Sequence, residues 1–140
     1  MNEKYILLVE DNDDDVDLTK IVFRKFQITN KLVVVSDGQE ALDFLFQQGK
    51  YAKREPDYLP HLVILDLRMY LVGGQEVLEK IRSDPRTNNL PVVILTSTDD
   101  EKEIEECERL GADRCYHKSA NLQEFQRTIQ DIKSRWIDNI

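Results

Sequence analysis

The sequence predicts an α/β fold, a doubly wound five-stranded parallel sheet with helices on both faces. Three observations predict it. Four aliphatic runs, at Tyr5–Val9, Leu32–Val35, Leu62–Leu65 and Val92–Leu95, are continuous rather than alternating, the pattern of parallel strands covered on both sides. The segments between them space their apolar residues by three or four, as helices do. The strand-like runs end in polar groups, which belong outside the carboxyl edge of such a sheet.

The elements follow in order. The first strand is near Lys4–Val9, and a helix over roughly Asp14–Phe26 turns Val16, Ile21, Val22 and Phe26 inward. The second strand is near Lys31–Val35. The second helix, about Gln39–Gln47, faces the core with Ala41, Leu42 and Leu45. The polar stretch Gln48–Leu59, with Gly49 and Pro56, reads as an irregular connection. After the third strand, Leu62–Leu65, the pair Gly73-Gly74 precedes a helix near Gln75–Ser83 that uses Val77, Leu78 and Ile81 and stops at Ser83-Asp84-Pro85. Pro91 opens the fourth strand. The fourth helix, near Asp100–Leu110, ends at Gly111. A short fifth strand near Arg114–His117 leads to a last helix with Leu122, Phe125, Ile129, Ile132 and Trp136 at helical spacing. Right-handed crossovers place helices on both faces, and the natural strand order is the flavodoxin-like 2-1-3-4-5.

The chain has 140 residues, 33% of them charged and 41% hydrophobic, and reads as one soluble domain over 1–140 with no output domain. A formal net charge of −8 argues against nonspecific binding to nucleic acid and to an anionic membrane surface. No apolar stretch approaches the ~20 residues that span a bilayer, and the N-terminus lacks a secretory h-region, so a cytoplasmic location is expected. Cys107 and Cys115 are not a CxxC pair and read as reduced thiols, with no structural zinc site.

The order 2-1-3-4-5 puts strand one beside strand three, so Glu10, Asp11 and Asp66 meet at the switch point, with Thr96 and Lys118 on the neighbouring strand ends. Gathering three acids is costly unless a cation intervenes. A hard divalent cation, Mg²⁺ or Mn²⁺, resolves the conflict and can bridge to phosphate oxygens. Asp66 is then a nucleophile forming an acyl phosphate, Lys118 a point charge for a phosphate oxygen and Thr96 a hydroxyl donor. Asp13, Asp14, Asp15 and Asp17 read instead as acids suited to a helix N-terminus. Asp11, Asp13 and Asp15 mimic a calcium loop, but Val16 and Val22 occupy its glycine and glutamate positions. There is no phosphate loop, dinucleotide fingerprint or nucleophile elbow.

Taken in order, Ile6-Leu7-Leu8-Val9-Glu10-Asp11-Asn12, Asp37-Gly38-Gln39-Glu40-Ala41-Leu42, Leu62-Val63-Ile64-Leu65-Asp66-Leu67, Pro91-Val92-Val93-Ile94-Leu95-Thr96-Ser97 and Gly111-Ala112-Asp113 with Lys118 make the chain resemble the receiver domains of two-component response regulators. The resemblance covers essentially its whole length. The loop with Gly49-Lys50-Tyr51, the stretch Ile81-Arg82-Ser83-Asp84-Pro85 and the Trp136 tail further resemble the stand-alone regulators paired with phytochrome-type histidine kinases.

The resemblance implies transfer of a phosphoryl group from a sensor kinase phosphohistidine to Asp66. It implies a metal held by Glu10, Asp11, Asp66 and the backbone carbonyl of Arg68. Thr96, with Ser97 beside it, would be the switch hydroxyl and Lys118 the phosphate-binding lysine. Such a chain is a phosphoacceptor signalling protein rather than an enzyme, assisting its own phosphorylation and dephosphorylation, and it passes its signal to a downstream protein through contacts of the last elements. The alternatives are a pseudo-receiver that binds without phosphorylation and an aspartyl-nucleophile phosphohydrolase, against which the lack of an acid two residues after Asp66 counts.

Three positions depart from the family pattern. Cys115 stands where the family has its switch aromatic, with Tyr116 next to it. Ser119 replaces the proline after the lysine, and Tyr70 replaces a proline four residues after Asp66. Arg68 is expected at the mouth of the site, either screening the acyl phosphate from water or pairing with Glu10. Ile129, Ile132, Trp136 and Ile137 either pack into the core or, if the tail projects, support a homodimer through the C-terminal elements.

Overall fold

Residues 3–69 and 72–139 are described by the computed structural model. Tyr70 lies outside them. The strands are β1 (Ile6–Val9), β2 (Leu32–Val35), β3 (Leu62–Leu65), β4 (Val92–Thr96) and β5 (Arg114–His117). The helices are α1 (Asp13–Lys25), α2 (Gly38–Leu45), α3 (Gly74–Ser83), α4 (Glu101–Arg109) and α5 (Leu122–Ile132). The sheet order is β2-β1-β3-β4-β5 with every neighbouring pair parallel, as the sequence predicts. Helix and strand ends fall within a residue or two of the expected ones.

Alternation along the strands divides the interior into two cores. Tyr5, Leu7, Val9, Val63, Leu65, Val92 and Ile94 face one side, where α2 and α3 supply Leu42, Phe44, Val77, Leu78 and Ile81. Ile6, Leu8, Leu62, Ile64, Val93 and Leu95 face the other, closed by α1 and α5 with Val22, Phe23, Phe125, Ile129 and Ile132. Burial of each such side chain contributes about 1.5–3 kcal/mol. On α1 one expectation fails. Ile21 is 53% exposed, and Phe23 takes the inward place beside Val22 because the buried stripe runs through Val16, Thr19, Val22 and Phe23.

The C-terminal tail does not project. Ile129, Ile132 and Ile137 are buried in the chain's own core. A π-helical turn at Lys133–Ile137 carries Trp136 edge-on against Tyr116, with ring centroids 6.2 Å apart. Of the two alternatives for these residues, packing within the chain is the one observed, leaving Leu122 as an exposed large side chain on α5. No helix among the described residues is long and apolar enough to cross a membrane.

Caps fix the helix ends that carry the site's loops. Asn12, Asp37, Asp100 and Asn121 each accept from a backbone N–H in the first turn of their helix. At the far end of α4, Gly111 adopts φ +103, and the N–H groups of Gly111 and Ala112 close back on Glu108 and Cys107 at 3.1 and 3.0 Å.

The α2–β3 connection is irregular as expected, but it is anchored. Buried Arg54 lies over the Phe44 ring and donates to the carbonyls of Phe44 (2.6 Å), Pro56 and Tyr58 (2.8 Å). Beside it, Glu40 accepts from Ser36 N, Tyr51 Oη and Lys50 Nζ at 2.7, 2.8 and 2.8 Å. Burial would push the Glu40 carboxyl up, yet the hydrogen bonds from Lys50, Ser36 and Tyr51 outweigh it and bring it down from 4.5 to about 2. The stability this cluster adds is present above pH 4.5 and drains as pH falls from 4.5 towards 2. Glu40→Gln should therefore flatten the acid limb of Tm against pH in that window; a limb parallel to wild type would contradict the assignment.

Candidate functional site

The register sets the site. Val9 pairs with both Val35 and Leu65, so β1 and β3 end at the same level. Glu10 N then donates to Val35 O (3.0 Å) and Asp66 N to Val9 O (3.1 Å), which turns both acids into the crevice at the carboxyl edge. Glu10 and Asp66 are 5% and 6% exposed, whereas Asp11 faces solvent. Each of the three offers a carboxylate oxygen within 4.8 Å of the others. The start of α3 lies close against the end of β3 under them. Gly74 N donates to Leu67 O at 2.9 Å, and a Cβ on Gly74 would lie 2.3 Å from Asp66 O.

Lys118 closes the crevice from the end of β5. Its ammonium lies 2.5 Å from Glu10 Oε1, 2.9 Å from Asp15 Oδ2 and 3.4 Å from Asp66 Oδ2. Its backbone N–H donates to Thr96 O at 2.6 Å, tying the lysine to the end of β4. Burial lowers the affinity of Lys118 for its proton, but the carboxylates of Glu10, Asp15 and Asp66 outweigh that and hold it firmly charged. Burial raises Glu10 above the usual carboxylate range, with Asp66 adding to the rise and Lys118 opposing it. One ammonium faces several acids, so the crevice keeps an excess of negative charge. An all-oxygen carboxylate set of this kind suits a hard divalent cation, and these residues fit one.

Thr96 is 1% exposed and its hydroxyl accepts from Thr98 N at 3.3 Å. Ser97, expected beside it in the site, is exposed to solvent. The buried hydroxyl is that of Thr98, which donates to Glu103 Oε2 on α4 at 2.7 Å. Arg68 reaches the same oxygen with Nη2 at 3.0 Å. The Arg68 side chain thus pairs with Glu103 and not with Glu10. Both hydrogen bonds keep the Glu103 carboxyl below its usual range, that from Thr98 first. Glu103 was not legible from spacing, since it sits among the other acids of a polar helix.

Cys115 is half-buried and packs beside the core that holds Cys107. Burial pushes its thiol up to about 11 and that of Cys107 up to about 12, so both are inert thiols at neutral pH. The Tyr116 ring is engaged away from the crevice by groups of β5 and the C-terminal helix. It hydrogen-bonds Asp131 on α5, and Arg114 lies over its ring. Ser119 donates to Glu124 at 2.7 Å and accepts from Asn121 N at 3.0 Å, so its hydroxyl is engaged at the start of α5 beside the Asn121 cap.

Comparison with known proteins agrees with this geometry. The family model of the response regulator receiver domain matches residues 6–130, and the chain belongs to that family. It is 35% identical over 137 residues to response regulator Rcp1 of Synechocystis, covering 98% of this chain and 91% of that one. It is 31% identical to the probable methanogenesis regulatory protein FilR2 of Methanothrix harundinacea, covering 94% and 83%. Among solved structures, the phosphorylated cyanobacterial phytochrome response regulator RcpA superposes with a TM-score of 0.89 at 34% identity, covering 99% of this chain and 97% of that one. The Mn²⁺-bound form of Rcp1 superposes with a TM-score of 0.88 at 34% identity, covering 98% and 96%. The chain is therefore a receiver-domain signalling protein of the two-component type.

Proposed function

We propose that this receiver accepts a phosphoryl group on Asp66 from a histidine kinase phosphohistidine, and that the kinase is of the phytochrome type. The observation that carries the reading is the meeting of Glu10, Asp11 and Asp66 within 4.8 Å, with the Lys118 ammonium against two of them. Similarity to the regulators RcpA and Rcp1 supports the phytochrome assignment.

In the reaction, an Asp66 carboxylate oxygen attacks phosphorus and the bond from phosphorus to the kinase imidazole breaks. The electron pair returns to the imidazole nitrogen. Glu10, Asp11, Asp66 and the backbone carbonyl of Arg68 would hold Mg²⁺ or Mn²⁺. When bound, that ion supplies positive charge against the crowded phosphoryl and carboxylate oxygens. Lys118 gives a donor to one phosphoryl oxygen and the Thr96 hydroxyl to another. The Thr96 hydroxyl then turns towards the phosphoryl group, which adds about −1.5 to −2 charges. That movement acts on Thr98 and, through it, on the first turn of α4. The signal leaves as altered contacts of α4, β5 and α5 with a downstream protein, and hydrolysis of the acyl phosphate in the same crevice resets the chain. With Cys115 at the usual aromatic position, we assign the coupling to the Thr96–Thr98–Glu103 chain of hydrogen bonds. The phosphohydrolase reading loses ground, because the group two residues after Asp66 is the Arg68 cation engaged with Glu103.

The test is labelling by a small phosphodonor such as acetyl phosphate. Wild type should label in Mg²⁺ and not in EDTA, and a folded Asp66→Asn should lose the label by at least about a hundredfold. Persistent labelling of Asp66→Asn would move the acceptor elsewhere.

A further inference from the structure

Asp15 stands in the first turn of α1 among Asp13 and Asp14, and composition alone makes it a helix N-terminal acid. Its neighbours are exposed, but the Asp15 side chain is 34% exposed and its Oδ2 lies 2.9 Å from Lys118 Nζ. Its backbone is held on both sides. Asp15 N donates to Asn12 Oδ1 at 3.0 Å, and Thr19 Oγ1 donates to Asp15 O at 2.8 Å. The carboxylate is therefore delivered to Lys118 by the capped end of the helix.

Lys118 has three N–H donors and meets three carboxylates. In the proposed chemistry two of those partners are taken away. Glu10, at 2.5 Å, is a ligand for the divalent cation, and the donor now facing Asp66 must serve a phosphoryl oxygen. Asp15 has no other duty. Resting on the phosphoacceptor reading, we propose that Asp15 is a positioning residue for phosphoryl binding: it keeps Lys118 aimed into the crevice once Glu10 has been released to the metal. Without it, the ammonium has no fixed partner except acids that the reaction needs, and it either competes for them or leaves.

Charge alone predicts the opposite sign. Removing a negative charge beside an anion site strengthens anion binding through the simple Coulomb effect. Loss of Lys118 positioning weakens it. The probe is beryllofluoride, a phosphoryl-like anion, titrated by calorimetry into wild type and Asp15→Asn at saturating Mg²⁺. The expected result is about tenfold weaker binding by Asp15→Asn, the loss of one charge-assisted hydrogen bond. In a Lys118→Ala background, where there is no ammonium to position, the same substitution should leave affinity unchanged or raise it. Equal or tighter binding by the single variant, or equal weakening in both backgrounds, would overturn the proposal while leaving Asp66 as acceptor. Failure of wild type itself to bind beryllofluoride would overturn the phosphoacceptor reading and this proposal with it.

Discussion

Replacing Lys118 with alanine should slow phosphorylation of Asp66 by about a hundredfold or more, the usual consequence of removing one preorganised donor from a group where charge develops. The same change should destabilise the metal-free protein by about 3 kcal/mol, because Glu10 and Asp66 are left nearly buried without a cation. Added Mg²⁺ should restore most of that stability, since the lysine and the divalent ion neutralise the same carboxylates. Denaturant unfolding in EDTA and in Mg²⁺ separates the two effects. A variant that is slow to phosphorylate yet unfolds like wild type in EDTA would show that the ammonium does not compensate the crevice, contrary to its distances.

Gly74→Ala should be about 3 kcal/mol less stable than wild type and should lose phosphorylation at the same time. A Cβ there would lie 2.3 Å from Asp66 O, 2.8 Å from Leu67 Cα and 3.1 Å from Asp66 C, all of them backbone atoms. None can rotate away as a side-chain tip can, so α3 or the loop beneath Asp66 must move. Gly73 is the internal control. Its added Cβ would meet Leu67 O at an ordinary 3.5 Å, so Gly73→Ala should unfold within about 1 kcal/mol of wild type. Equal stability of the two variants in thermal unfolding would show that the close approach under Asp66 does not constrain the site.

Three of the five candidate-site groups were legible because of how parallel sheets advertise themselves. Strands buried on both faces read as unbroken aliphatic runs, so their carboxyl ends are visible, and Glu10, Asp66 and Thr96 stand at those ends; Lys118, the fourth, follows the short, partly exposed β5, which was legible from the strand–helix alternation and not from an aliphatic run. Asp11, the fifth, followed from its place beside Glu10 and lies within reach of both other acids.

Groups reached from a helix or across a loop were hidden. Asp15 and Glu103 are acids in acid-rich helix starts, where the macrodipole already accounts for them, and only the tertiary approach of β5 and of Arg68 singles them out. Thr98 and Ser97 differ by one residue, and the turn after β4 buries the first while exposing the second. The π-helical turn that brings Ile137 into the core was invisible for a similar reason. It changes the periodicity at the end of α5, so spacing read from an ideal helix left the tail's hydrophobic residues unplaced.

On the phosphoacceptor reading we propose, a phosphoryl group becomes covalently bound to the carboxylate of Asp66. Borohydride reduction tests it most directly, because it converts an aspartyl phosphate to homoserine and so marks the acceptor in the peptide chain. After incubation with phosphodonor and Mg²⁺, homoserine should appear at position 66, and none when EDTA replaces Mg²⁺. Homoserine at another aspartate, or none at all in a protein that has taken up phosphate, would contradict it.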